Sequence, residues 1–140
     1  MTLKTLLIAI EMNNSSSRAG RRRFNASENT MPVLEQHRPQ PTPLPGLAHS
    51  TWAGSDDGLQ DLSLWRQTLE AGAATPPHSH SCDEIVLCLS GWGEVHEEGQ
   101  PPQRFGPDHT VLLPKGRVHQ IVACGPMPLD ILGGLAATPV

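Results

Sequence analysis

The chain has 140 residues, a length that suits one domain. Its 14 Pro and 13 Gly interrupt it too often for long helices, yet they show neither a collagen repeat nor the bias of a wholly disordered chain. The formal net charge is -4, and after Met31 five Lys and Arg face twelve Asp and Glu, so a nucleic-acid surface built on phosphate contacts is excluded.

The first ten residues, MTLKTLLIAI, faintly resemble a leader peptide. Their apolar run is very short, Glu11 follows it, and no small-residue cleavage site is evident. No stretch has the length of a transmembrane span, so no membrane partner is expected. Residues 12–30 are polar and include Arg21, Arg22 and Arg23. Residues 1–30 are therefore expected to form a disordered tail, dispensable for folding, with Met31 as an alternative start. Residues 31–58 read as an extended Pro/Gly-rich arm, because Pro39, Pro41, Pro43 and Pro45 alternate there.

From Leu59 the pattern becomes a series of short strands, and residues 59–140 are expected to form one β-domain, a sandwich or barrel. LQDLSLWRQTL alternates apolar and polar positions. EIVLCLSG is a short apolar run closed by Ser-Gly. GEVHEEGQ, TVLLPKG, VHQIVACG and PLDILGGL supply four more segments ended by turn residues. Evenly spaced short strands of this kind indicate an all-β sandwich or barrel. Cys82, Cys88 and Cys124 give no disulfide framework, which suggests a reduced, cytoplasmic setting.

His78 and His80 are two residues apart, so in an extended segment their rings point to the same side. Glu84 follows after a short break and can return a carboxylate to that side. Imidazoles and a carboxylate are good ligands for divalent transition ions. On local spacing alone, a solvent-exposed histidine pair fits equally well. His119 lies past the Pro114-Lys115-Gly116 turn and shares its strand face with apolar Ile121 and Ala123. A histidine on such a face needs a partner, and metal ligation supplies one.

These residues resemble the two motifs of the cupin family. Gly72, His78, His80, Glu84 and Gly91 match the first motif in order and spacing, and Pro114, Gly116 and His119 match the second. Two positions depart: Asp108 stands where the second motif usually begins with Gly, and Ala123 where it often ends in Asn. The resemblance covers roughly residues 60–135. It implies a cupin-type jelly-roll β-barrel with a divalent transition metal held by His78, His80, Glu84 and His119. Iron is the first expectation, with manganese, nickel, zinc and copper as the other metals of the family.

The resemblance also implies a homodimer and a small-molecule substrate. A dioxygenase is the leading expectation; a metal-dependent isomerase or lyase, or a non-catalytic ligand-binding sensor, are the alternatives. Strand phase places Val86, Cys88, Ile121 and Ala123 inside, chiefly as barrel filling, and puts Trp65 and Gln67 at the mouth. His96 and His109 read as surface histidines, and the chain has no Tyr to serve as a proton donor. Trp52, Trp65 and Trp92 could stack on a ring or a sugar or pack the barrel and the dimer interface, and packing is the expected role of at least two of them.

Overall fold

The computed structural model describes residues 30–136. Among the described residues nine strands run in chain order: β1 (Gln40–Pro41), β2 (Leu47–Ala53), β3 (Ser63–Leu69), β4 (Glu84–Ser90), β5 (Gly93–Glu97), β6 (Gln103–Phe105), β7 (Thr110–Leu113), β8 (His119–Ala123) and β9 (Leu129–Leu135). A 3-10 turn, Ser55–Asp57, lies between β2 and β3. The six segments read as strands from Leu59 onward contain β3, β4, β5, β7, β8 and β9. The tail expected at 1–30 lies outside the described residues, Thr30 excepted.

Two antiparallel sheets face each other. One has the order β1-β2-β3-β9-β4-β7, and the other has the order β6-β5-β8. The second sheet is extended beyond β8 by residues 73–78, which touch it through the bridges Ala74↔Val122 and His78↔His119. Pro76 and Pro77 lie inside this segment. Proline cannot donate to a ladder, so the segment pairs at points rather than as a continuous strand. The fold is all-β, in a jelly-roll arrangement.

The expected arm over 31–58 contributes β1 and β2 to the large sheet. β2 pairs with β3 from Leu47↔Leu69 to Ala53↔Leu64, with one register shift. Its hairpin with β1 and its polar content mask it in the sequence, where alternate prolines dominate.

Strand alternation sends one set of side chains into the barrel. Leu69, Leu129 and Ile131 are fully buried, as are Val86 and Ala123. At about 25 cal/mol per Å² of apolar surface, this interior supplies the main driving force for folding. The opposite set stays outside: Ile85, Leu87 and Leu112 remain exposed, with Ile85 directly opposite Leu112 across β4 and β7.

Trp65 and Gln67, expected at the mouth, are buried. Trp65 sits opposite Gly133 of β9, which in turn sits opposite Val86 of β4. A Cβ at Gly133 would collide with the Trp65 indole, so glycine there lets the ring lie against the sheet. Gln67 donates its amide N–H to His49 Nδ1 at 2.9 Å, and His49 Nε2 meets Thr51 Oγ1 at 2.9 Å. This hydrogen-bonded chain explains how a polar pair is tolerated inside.

Substituting Gly133→Ala forces the Trp65 ring away from β9. The variant is expected to lose about 1–3 kcal/mol, the usual cost of overpacking a core. Urea unfolding checks this, and stability equal to the parent chain contradicts it.

Candidate metal centre

Main-chain pairing brings the two histidine segments together. His78 N–H donates to the His119 carbonyl at 3.0 Å, and His119 N–H donates to the His78 carbonyl at 2.8 Å. Gly116 N–H donates to the His80 carbonyl at 2.7 Å. Asp83 Oδ1 accepts the Lys115 N–H at 3.0 Å. The Pro114–Gly116 turn is thereby fastened to the loop that follows His80. Gly116 has φ +79°, in the left-handed region that favours glycine.

The side chains of His78, His80 and His119 converge. Each offers a nitrogen, and these atoms all lie within 4.8 Å of one another. Ring centroids are 5.1 Å apart for His78 and His80, and 4.5 Å for His78 and His119. Nitrogens bound at about 2.1 Å to one ion stand about 3–4 Å apart, so small ring rotations suffice to close on a cation.

The tautomers are set by the backbone. His78 Nδ1 donates to the Pro76 carbonyl at 2.7 Å, and His119 Nδ1 donates to the Arg117 carbonyl at 3.1 Å. With Nδ1 protonated, each neutral ring keeps its lone pair on Nε2. His119 Nε2 is buried and has no hydrogen-bond partner among the described residues.

Glu84 enters from the first residue of β4, opposite Leu113 and Leu135. It is 4% exposed, a degree of burial that is unusual for a carboxylate without partners. Its Oε2 lies 2.8 Å from His80 Nε2. That approach lacks the alignment of a hydrogen bond, and Oε2 makes none among the described residues. Glu84 therefore stands beside the three-imidazole group through His80. An orphaned imidazole nitrogen and an orphaned carboxylate oxygen, both buried, fit a divalent cation.

Cys82 is a free, partly buried thiol outside the converging group. His96 Nε2 meets Glu94 Oε2 at 2.8 Å, and His109 Nδ1 accepts the Gly106 N–H at 3.0 Å. Neither belongs to the converging group.

Sequence reasoning missed two features of this region. Asp83 fastens the two motifs together, as described above. Glu97 lies opposite His119 in the β5–β8 register, and its Oε1 accepts from Arg117. The sequence signal for Glu97 was its shared strand phase with Val95. A cleft of about 480 Å³ opens between β7 and the small sheet, with Glu97, Arg117 and His119 among its lining residues.

Burial disfavours the charged form of two of the imidazoles, His78 and His119. Desolvation, followed by repulsion from His119 and His80, pulls His78 down to about 4 against a rise from its bond to Pro76. Burial also lowers His119. The folded chain thus keeps His78 neutral far below the ordinary histidine range of about 6.5, while the unfolded chain takes up a proton there. Unfolding then gains protons as pH falls. Metal-free protein is expected to lose stability steadily between about pH 6.5 and pH 4. Melting curves across that range check this, with His78→Gln giving a flatter profile; identical pH slopes in the two proteins contradict it.

The chain is similar to known proteins in sequence and in fold. The sequence model of the family described as Cupin domain matches residues 65–133. Auxin-binding protein T92 of Nicotiana tabacum is 36% identical over 106 residues, covering 68% of this chain and 57% of that protein. The chain spans about half the length of the auxin-binding relatives it matches. Dimethylsulfoniopropionate lyase DddQ of Ruegeria pomeroyi is 41% identical over 66 residues, covering 47% of this chain and 33% of that protein. Among solved structures, KdgF from Halomonas sp. superposes with a TM-score of 0.60 at 28% identity, covering 71% of this chain and 86% of that one. With both motifs assembled in a jelly roll and these likenesses beside them, the chain belongs to the cupin family.

Proposed function

We propose that His78, His80, Glu84 and His119 hold one divalent transition ion, and that the protein is a metal-dependent enzyme acting on a small organic molecule. The buried, unpartnered Nε2 of His119, converging with His78 and His80, carries this reading. A hydrogen-bonded core histidine would have spent both nitrogens; this one spends only Nδ1.

When bound, such an ion supplies Lewis acidity, and with iron it also supplies reactivity toward oxygen. The chain's own residues set the conditions. The carbonyls of Pro76 and Arg117 orient two rings. Burial holds both neutral, the form that ligates. Three neutral imidazoles and one carboxylate leave net positive charge around a divalent cation, which favours an anionic or enolisable substrate. Four protein ligands also leave coordination positions for substrate, which keeps dioxygenation within the proposal. The lyase named among the relatives supports a Lewis-acid reaction without oxygen.

A second reading is a ligand-binding cupin without turnover. The auxin-binding proteins among the relatives favour it.

One experiment series separates these. Protein purified without added metal is expected to carry close to one ion per chain by elemental analysis. His80→Ala and His119→Ala are expected to lose affinity for it by at least tenfold while keeping their strand signal in circular dichroism. Wild-type metal content in both variants contradicts the ligand set. Oxygen uptake on turnover assigns a dioxygenase, and turnover without oxygen uptake assigns a lyase or isomerase. Thermal stabilisation by ligand without turnover assigns the binding protein.

A further inference from the structure

The cleft between β7 and the small sheet has a polarity that the metal ligands do not explain. Its two walls come from facing sheets. Val95 and Phe105 form one apolar side, and Val111 and Leu113 form the other. β6 and β7 are edge strands of their sheets, so the cleft lies along a seam where the two sheets are not joined. His119, one of the three converging histidines, lies on its lining. At about 480 Å³ it falls in the range of small-molecule pockets.

Glu97 and Arg117 give this apolar slot a charged rim. Glu97 is the cross-strand neighbour of His119. Arg117 Nε donates to Glu97 Oε1 at 2.7 Å, and Nη2 donates to the same oxygen. A guanidinium has five N–H donors in a fixed fork. Two are spent on Glu97, so the other three keep a set direction. The Arg117 side chain is 56% exposed, which places those donors where solvent and ligand can reach them. Glu97, at 26%, is the more sheltered partner and acts as the anchor. Guanidinium groups held in this way match the planar fork of a carboxylate. Gln103, whose strand position faces Val95 across β5 and β6, adds an amide to the same lining.

We infer that this cleft binds a small monocarboxylate with a compact apolar body, and that Arg117, positioned by Glu97, is the residue that selects the carboxylate. The apolar body lies between Phe105 and Leu113, and its inner end approaches the histidine group. This inference rests on the reading of the barrel as a small-molecule site, but it assigns the carboxylate to Arg117 rather than to the ion. Arg117 is a specificity residue: it recognises the acid group and takes no part in ligation.

Calorimetry with benzoate, phenylacetate and hexanoate, each against its neutral amide, tests this on the full chain, both metal-loaded and after chelation. At least one acid is expected to bind at least tenfold more tightly than its amide. Arg117→Met, which keeps the stem and removes the charge, is expected to cost that acid at least tenfold, about 1.4 kcal/mol. The same substitution should leave the amide and the metal content unchanged. Glu97→Gln, which loosens the anchor, is expected to give a smaller loss of the same selectivity.

Three results overturn the inference. The first is that no acid is preferred over its amide. The second is that Arg117→Met binds acid as the parent does. The third is that chelation abolishes acid binding while Arg117→Met leaves it intact, which places the carboxylate on the ion. Arg117-dependent acid binding in a protein that holds no metal would leave the inference standing and remove only the metal reading.

Discussion

The candidate centre depends on one piece of main-chain pairing. The segment holding His78 and the strand holding His119 exchange two hydrogen bonds, with further bonds from Thr75 N–H to the Ile121 carbonyl and from Ala123 N–H to the Ala73 carbonyl. Each such bond contributes only about 0.5–1.5 kcal/mol net, but together they fix which residues face each other. Four strands, β4 to β7, separate the two segments in the chain. Without this register the imidazoles of the two motifs would not share a side of the barrel. A slip of one residue would turn every side chain of the segment to the opposite face.

The same pairing sets the chemistry. It places His119 beside His78 in the barrel wall, where burial disfavours the charged ring. It leaves the carbonyls of Pro76 and Arg117 free to orient Nδ1, and so it directs Nε2 inward. Glu84 arrives from the other sheet, at the start of β4, and stands next to His80. Two sheets thus contribute to one candidate centre, and His119 belongs both to the histidine group and to the lining of the cleft. Trp65, Gln67 and His49 fill a further part of the interior, where the His49 ring stacks on Trp65 and accepts from Gln67.

Much of this was legible in the sequence because it is local. The alternation of LQDLSLWRQTL, the apolar run EIVLCLS and the Gly/Pro turns gave strands at the right places, and the H-x-H spacing placed two rings on one side. The Pro-x-Gly-x-x-His turn placed His119 at the start of β8, where the structure has it. What was not legible depends on register across strands. Asp83 matters through Lys115, thirty-two residues away. Glu97 matters because β5 pairs with β8 so that it meets His119. β2 was hidden because its identity as a strand comes from pairing with β3, while its own composition is mixed and its approach is proline-rich. Strand phase alone put Trp65 at the mouth; Gly133 on the neighbouring strand allows it inside instead.

The central claim is that four side chains from two sheets surround a single ion. X-ray absorption on metal-loaded protein reads this directly. A first shell of nitrogen and oxygen donors at about 2.0–2.2 Å, with the outer-shell scattering of three imidazole rings, is the result expected here. A shell of oxygen alone, or one that is unchanged in His119→Ala, contradicts it.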